Sequence, residues 1–80
     1  MAVRGDRLMI HGGTVLKCAR VARGYKQSDI AATMGISLKT IQRWESNKTD
    51  PGFTYAIWII TDVLKMTVAD AMELAINENN

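Results

Sequence analysis

Apolar side chains recur at helical spacing along most of the chain and divide it into short amphipathic segments. Residues 26–48 contain two such segments. One face of the first segment is formed by Ile30, Ala31 and Met34. In the second, Ile41 and Trp44 lie three residues apart, a spacing that brings both side chains to one face of a helix. The pattern therefore predicts two short helices, over residues 27–34 and 38–46.

Two residues between these segments predict a tight turn. Gly35 supplies the left-handed backbone conformation that ends the first helix, and Ser37 caps the start of the second. The outward face of the second helix carries side chains that can reach base edges and phosphates: Leu38, Lys39, Gln42 and Arg43. The sequence therefore predicts a helix-turn-helix whose second member is a recognition helix.

Three further helices are predicted around this unit. The first spans residues 14–23, with Thr14 as its N-cap and Gly24 ending it. Its buried stripe is expected to comprise Val15, Leu16, Ala19 and Ala22, and Tyr25 after it is expected to pack inward. The last helix begins after Thr67 in a pattern close to a capping box. Its buried face is expected to comprise Val68, Ala71, Met72, Ala75 and Ile76.

The segment over residues 53–65 is the most apolar helix of the chain. Its expected inward stripe consists of Phe53, Ala56, Ile57, Ile60 and Leu64. Three more apolar residues fall outside that stripe: Tyr55, Trp58 and Ile59. A helix of so small a protein cannot be surrounded by its own core, so the excess apolar surface is expected to contact another chain. For Trp58, a place in the core is an equally good interpretation.

Eighty residues with 48% hydrophobic composition predict one all-α domain of five helices over residues 1–80, with the helix-turn-helix at 27–46. Residues 1–13 have no sustained period and are expected to form a flexible N-terminal arm. Residues 77–80 are expected to form a frayed tail. We find neither a secretory signal peptide nor an apolar run long enough to span a bilayer, so no membrane partner is expected.

The distribution of charge is more informative than its sum. A net charge of +2 is weak evidence for a nucleic-acid partner. However, Lys39, Arg43 and Lys48 cluster on or beside the predicted recognition helix, a placement that favours contact with phosphates. The alternative interpretation of this helix face is an ordinary solvated surface. Four of the eight acidic residues lie far from it in sequence, in the C-terminal third: Asp62, Asp70, Glu73 and Glu78.

Composition argues against several other classes of site. Cys18 is the only cysteine and His11 the only histidine, so neither an intrachain disulfide nor a metal site built on these residues is expected, and a reducing cytoplasm is indicated. There is no histidine–carboxylate pair, activated cysteine or glycine-rich phosphate loop with its lysine. We therefore expect no enzyme, no cofactor and no small-molecule ligand.

The chain resembles a known family at this point. The resemblance lies in Gln27, Ile30-Ala31, Gly35-Ile36-Ser37, Ile41, Trp44-Glu45 and Pro51. These residues resemble the phage Cro and repressor family of helix-turn-helix domains, called in its wider form the xenobiotic-response-element type, and the similarity extends over about residues 14–72. It implies a Cro/repressor-like fold of five short α-helices that binds operator DNA, usually as a symmetric dimer.

The resemblance also implies roles for individual residues. Base reading is implied for Leu38, Lys39, Gln42 and Arg43. Phosphate contacts, by side chains or main-chain amides, are implied for Gln27, Ser37, Thr40, Asn47 and Lys48. A structural ion pair is implied between Arg20 and Glu45. The chain departs from the family pattern at Lys26 and Gly52, where hydroxyl caps are usual, and the fourth helix is about one residue longer than usual before Thr67.

The hypothesis from the sequence is a sequence-specific, double-stranded-DNA-binding transcriptional regulator in the cytoplasm of a bacterial host. It is expected to be a repressor from a phage or mobile element and to bind an inverted-repeat operator as a homodimer, with helix 38–46 in the major groove. The expected dimer interface comprises Tyr55, Trp58 and Ile59. Activation, control of restriction genes and an antitoxin role stay open. The alternative is a protein-interaction module or antitoxin subunit that docks a partner through helix 53–65.

Overall fold

The computed structural model describes residues 10–78, and predictions for residues 1–9, 79 and 80 lie outside the described residues. The described part of the chain is all-α, as predicted. Its helices are α1 (Gly12–Arg23), α2 (Gln27–Met34), α3 (Leu38–Glu45), α4 (Phe53–Trp58) and α5 (Val68–Glu78). Helix α4 continues directly into a π-helical segment, Ile59–Val63. No helix within residues 10–78 has the length and hydropathy needed to cross a membrane.

One core joins all of these elements except α4, which has no buried residue. Helix α1 packs against α5, α3 and the π-helical segment, and α2 packs against α3. The buried side chains are Val15, Leu16, Ala19, Ile30, Ala31, Ile41, Trp44, Ile59, Ile60, Leu64, Met66, Ala71 and Ala75. The helix-turn-helix is therefore supported from behind by α1 and by the π-helical segment.

Local signals set the bounds of α2 and α3. Gly35 adopts a left-handed conformation with φ 69°, which ends α2 at the predicted residue. The Ser37 hydroxyl accepts a hydrogen bond of 3.1 Å from the Thr40 N–H, so α3 begins at a capped residue. Asn47 has φ 63°, a left-handed conformation that asparagine tolerates better than most residues, and it turns the chain after α3.

Helix α1 begins earlier than predicted, because Gly12 and Gly13 belong to it. At Gly13, α1 lies so close to the end of α3 that a Cβ atom would come 1.7 Å from the Trp44 carbonyl oxygen. Two adjacent glycines usually interrupt a helix, but here both are helical. At Gly13 the absence of a Cβ atom lets the backbones of α1 and α3 come close together. Gly12 and Gly13 therefore do not belong to the arm predicted over residues 1–13, and Thr14 is not the N-cap.

The buried stripe of α1 is shorter than predicted. Val15, Leu16 and Ala19 are buried, whereas Ala22 and Tyr25 are exposed. The last turn of α1 borders a hollow that opens to solvent between α1 and α5, and Ala22 lines this hollow. Tyr25 lies beyond the end of the helix, where its carbonyl oxygen accepts a hydrogen bond from Arg20.

The π-helical segment changes which side chains of the fourth helix face inward. Its hydrogen bond joins the Leu64 N–H to the carbonyl of Ile59 over 2.8 Å. The two residues are five positions apart in sequence, one more than in an α-helix. This wider turn directs both Ile59 and Ile60 into the core. It also accommodates one residue more than an α-helical turn. The guanidinium of Arg23 stabilises the end of the segment by donating to the carbonyls of Leu64 and Lys65, both over 2.7 Å.

Two predictions for the ends of the fourth helix are wrong. Phe53 was expected inside, but 81% of it is exposed, because Pro51 is buried ahead of it and α4 begins at the rim of the core. The helical path ends at Val63 rather than at Lys65, whose φ of 55° turns the chain towards α5.

Helix α5 starts as predicted, because the Thr67 hydroxyl accepts a 3.0 Å hydrogen bond from the Asp70 N–H. Its buried stripe is centred on Ala71 and Ala75, small residues that permit a close approach to α1. Met72 and Ile76, expected inside, are therefore turned to the rim and partly exposed. The helix extends to Glu78, so the frayed tail predicted from residue 77 is wrong for the two residues described.

Candidate nucleic-acid interface

Helix α3 separates an apolar inner face from a polar outer face. Ile41 and Trp44 are buried on the inner side. The outer face consists of exposed side chains: Leu38, Lys39, Gln42 and Arg43. Leu38, 42% exposed, adds an apolar contact at the N-terminal end of this face. All four predicted base-reading side chains are thus open to a partner and not covered by the part of the chain that the structure describes.

The inner side of α3 is held by close packing. The Trp44 ring lies 5.6 Å from the ring of Tyr55 on α4, centroid to centroid, at an interplanar angle of 46°. This tilted arrangement is a favourable aromatic geometry. On the other side, the Trp44 carbonyl faces Gly13 of α1. Helix α3 therefore has little freedom to move relative to α1 and α4.

Ser37 and Thr40 form a hydroxyl pair at the start of α3. Their side-chain oxygens lie 2.8 Å apart, and the Ser37 oxygen also accepts from the Thr40 N–H. If Ser37 donates to Thr40, the proton of the Thr40 hydroxyl is free to donate outward. The Ser37 oxygen is thus engaged with Thr40, and whichever of the two hydroxyls accepts in this pair keeps its own proton for a phosphate.

An ion pair joins α1 to the end of α3. Arg20 donates to both carboxylate oxygens of Glu45, over 2.8 and 2.9 Å, and to the Tyr25 carbonyl over 2.7 Å. The two charged side chains are only 13% and 5% exposed. The hydrogen bonds that Arg20 donates to Glu45 raise the pKa of Arg20 above its already high ordinary value, so the guanidinium stays charged. This is the arrangement expected for these two residues.

The same carboxylate orients Gln27, at the first position of α2. The Gln27 amide nitrogen donates to Glu45 over 3.0 Å. One hydrogen of that amide and its carbonyl oxygen have no protein partner within the described part of the chain. Because Glu45 fixes the side chain, Gln27 presents these groups at the N-terminal end of α2 in a defined orientation, which favours an anion there.

The loop after α3 is partly committed to internal contacts. The main-chain amides of Asn47 and Lys48 donate to carbonyls of α3, over 3.0 and 2.9 Å. The Asn47 side chain donates to the Thr14 hydroxyl over 3.2 Å. These two main-chain amides, expected at phosphates, thus close the end of α3 instead. The exposed Lys48 side chain is left as the loop's positive group beside the α3 surface.

The predicted dimer residues do not lie together on one surface. Tyr55 and Trp58 are exposed, but Ile59 is 1% exposed and is part of the core, so its assignment to an interface is wrong. The π-helical turn is the physical reason, since its hydrogen bond brings Ile59 and Leu64, both buried, towards one face of the segment. Phe53 replaces it as an exposed apolar residue near Trp58, and both line a shallow hollow with Thr61 and Asp62. Sequence reasoning missed Phe53, although its position directly after the Pro51-Gly52 turn places it at a helix start.

The described residues also bear on metal and thiol chemistry. Residues 10–78 hold no group of three or more histidine, cysteine or carboxylate side chains with the geometry of a metal site. Cys18 is half-buried, and burial, assisted by the nearby Glu78 carboxylate, raises the pKa of its thiol. The thiol therefore stays protonated at neutral pH, which makes it a poor nucleophile.

Comparison with known proteins identifies the family. Residues 16–59, more than half of the chain, match the family model HTH_3, described as helix-turn-helix. No curated protein and no solved structure matches the sequence. The matched residues extend from the first buried turn of α1 to the start of the π-helical segment and contain the whole surface built from α2, α3 and the loop. The chain belongs to the HTH_3 family of Cro/C1-type helix-turn-helix proteins, whose members bind DNA and are not enzymes.

Proposed function

We propose that this protein is a transcriptional regulator that binds a specific double-stranded operator sequence through α3. One observation carries the proposal: α3 is fixed on its inner side by Ile41 and Trp44 while its polar outer side is open. A rigid helix with free donors and acceptors is what reading of the major groove requires.

The side chains of α3 differ in what they recognise. Arg43 has the fork of donors that matches guanine O6 and N7, and Lys39 can donate to the same acceptors. Gln42 can pair with adenine through both ends of its amide, and Leu38 can contact a thymine methyl group. Each good bidentate contact discriminates against a wrong base by about 1–3 kcal/mol.

Phosphate contacts would fix the orientation of α3 on the duplex without reading sequence. A phosphate contact by Gln27 and Thr40 is supported because a hydrogen bond orients each side chain and leaves part of its hydrogen-bonding capacity free. Lys48 is supported by its exposed charge. The side chains of Ser37 and Asn47 are hydrogen-bonded within the protein. In this proposal Ser37 therefore contributes by positioning Thr40, and Asn47 by positioning the loop.

We further propose binding as a homodimer to an inverted repeat. A single α3 supplies few base contacts, and a two-fold operator doubles them while requiring half-sites about one helical turn apart. The exposed apolar side chains of Phe53 and Trp58 are the best candidates for the contact between copies. Occupying an operator beside a promoter blocks transcription by exclusion, so repression from a phage or mobile element in a bacterial cytoplasm is the role we favour.

Selection from a random duplex library tests sequence-specific binding directly. We expect an enriched palindrome with half-sites spaced by about 10–10.5 base pairs. The variant Arg43→Ala should then weaken binding and relax preference at one base pair of each half-site, whereas Lys65→Ala, a charge removed outside the α2–α3 surface, should change neither. Failure to enrich any motif would reject specific reading by α3.

Lys48→Ala separates phosphate contact from base reading. Because a phosphate contact carries no sequence information, this variant should weaken all duplexes about equally and reduce the dependence of affinity on salt. A loss confined to one operator sequence would contradict the phosphate role of Lys48.

Sedimentation tests the dimer. Trp58→Glu should shift the protein towards monomer, because it puts a charge into the proposed apolar contact. Ile76→Glu, at a partly exposed apolar residue of α5, is the matched control and should sediment like the unmodified protein. An unaltered sedimentation profile for Trp58→Glu would remove Trp58 from the interface.

The exposure of Phe53 and Trp58 also favours a second candidate, a protein-interaction module or antitoxin subunit that docks a partner through α4. Such a module does not need the open polar face of α3. A gel shift with random duplex at low salt distinguishes the two, since the regulator has salt-sensitive non-specific affinity for any duplex and the module does not.

A further inference from the structure

Lys17 lies on α1, outside the helix-turn-helix, at the edge of the α2–α3 surface. Its exposed side chain lines a shallow hollow of about 170 Å³. The other residues around this hollow come from α2, α3 and the residue that ends α3: Gln27, Gln42, Glu45 and Ser46. A basic residue of α1 thus shares one small cavity with residues of the candidate DNA surface.

Helical geometry explains this position. Lys17 precedes Arg20 by three residues, so both side chains project from one side of α1. Arg20 reaches Glu45 near the C-terminal end of α3. The ion pair thereby sets the distance between α1 and α3 and keeps Lys17 beside the hollow.

The nearby carboxylate of Glu45 does not pair with the charge of Lys17. Both oxygens of Glu45 already accept hydrogen bonds, two from Arg20 and one from Gln27. Within residues 10–78, the ion pair between Arg20 and Glu45 is the only one. Within the walls of this hollow and the adjoining pair, two positive charges face one negative charge, an excess that favours an anion at the mouth. Glu78 shares only the separate hollow between α1 and α5 with Lys17, and the two form no ion pair.

From this geometry we propose that Lys17 binds a backbone phosphate of the duplex, extending the DNA-binding surface from the helix-turn-helix to α1. The inference rests on the proposed function and adds a residue to it. Gln42 borders the same hollow, so a phosphate held there lies beside the groove that Gln42 reads. Lys17 consequently contributes affinity and fixes the position of α3, but it does not choose the sequence.

The test is the salt dependence of affinity for the selected operator duplex and for a scrambled duplex. Lys17→Gln removes the charge, and Lys17→Arg retains it. Lys65→Gln is the matched control, an equal charge change on the connection before α5, outside the hollow. Each phosphate contact contributes about 0.9 to the slope of log affinity against log salt.

We expect Lys17→Gln to lower that slope by about 0.9 for each protomer bound, and to weaken both duplexes about fivefold per protomer at about 0.15 M salt. Lys17→Arg and Lys65→Gln should keep the slope of the unmodified protein. Thermal unfolding of Lys17→Gln should match that of the unmodified protein, since the side chain is exposed.

Three outcomes would overturn the inference. If the unmodified protein binds the operator and Lys17→Gln keeps its slope, Lys17 makes no phosphate contact, while the proposed function stands. If Lys17→Gln weakens only the operator, Lys17 reads sequence instead. If the unmodified protein binds neither duplex, the proposed function fails and this inference fails with it.

Discussion

The α2–α3 unit and the fourth helix use apolar side chains in opposite ways. In the α2–α3 unit, Ile41 and Trp44 are buried, and the exposed surface of α3 is mostly polar. In the fourth helix, a π-helical turn buries Ile59 and Ile60, while Phe53 and Trp58 remain largely exposed. The first region is complete within one chain, whereas the second leaves an apolar surface without cover among the described residues.

This difference suggests a division of labour. The α2–α3 unit is fixed by capping hydrogen bonds, an ion pair and a backbone contact, so that its polar groups meet DNA in one orientation. The fourth helix instead has two parts that differ in exposure: its π-helical residues fill the core, while its first turns carry exposed apolar side chains. The extra residue of the π-helical turn lets one short segment do both.

The largest expected effect contrasts Ile59 with Phe53. Ile59→Ala should destabilise the protein by about 2–5 kcal/mol, because it empties a buried site next to the π-helical turn. Phe53→Ala removes a larger side chain but should change the free energy of unfolding by less than about 0.5 kcal/mol, since Phe53 is exposed. Urea unfolding of both variants at protein concentrations low enough to favour monomer measures the contrast. A reversed order would contradict the burial of Ile59 and the exposure of Phe53.

The next effect concerns the contact between α1 and α3. Gly13→Ala should cost about 3 kcal/mol, at the upper end for overpacking, because the new methyl group meets a backbone carbonyl that cannot rotate away. Gly12→Ala is the matched control on the neighbouring residue, where the nearest atom is a Pro51 side-chain carbon 3.4 Å away. It should be close to neutral. Equal unfolding midpoints for the two variants would show that α1 does not approach Trp44 this closely.

A double-mutant cycle tests the ion pair behind the DNA-facing surface. Arg20→Met should destabilise by about 2 kcal/mol, because it leaves the Glu45 carboxylate poorly solvated with Gln27 as its remaining partner. The double variant Arg20→Met with Glu45→Met should cost less than the sum of the single changes. Chemical denaturation of the four proteins gives the coupling energy, and strict additivity would contradict a direct interaction.

Local signals explain why the α2–α3 unit was predictable from sequence. Gly35, Ser37 and Asn47 each determine backbone conformation through their own chemistry, so the bounds of α2 and α3 follow from single residues. The Arg20–Glu45 pair was expected from family resemblance alone, since the two residues are 25 positions apart in sequence.

The remaining features depend on tertiary contacts that helical periodicity does not contain. The π-helical turn places Ile59 inside, against the prediction, and the end of the turn is held by Arg23, 41 residues before Leu64. The helical conformation of Gly13 reflects the nearby Trp44 backbone. Lys17 was not assigned to the candidate site because it lies outside the motif, and only the packing of α1 on α3 brings it there.

The smallest expected effect compares the caps of the two helices of the motif. Ser37→Ala should cost about 1 kcal/mol, because the Thr40 N–H loses its acceptor. The side chain of Lys26 has no acceptor, so it cannot cap the N–H groups at the start of α2. Of the two hydrogen bonds of a capping box, α2 has only the one from the Lys26 N–H to the Asp29 carboxylate, over 2.8 Å. Lys26→Ser would complete a capping box and should stabilise the protein by about 0.5–1 kcal/mol. Thermal unfolding measures both changes, and a destabilised Lys26→Ser variant would show that the lysine contributes something other than a missing cap.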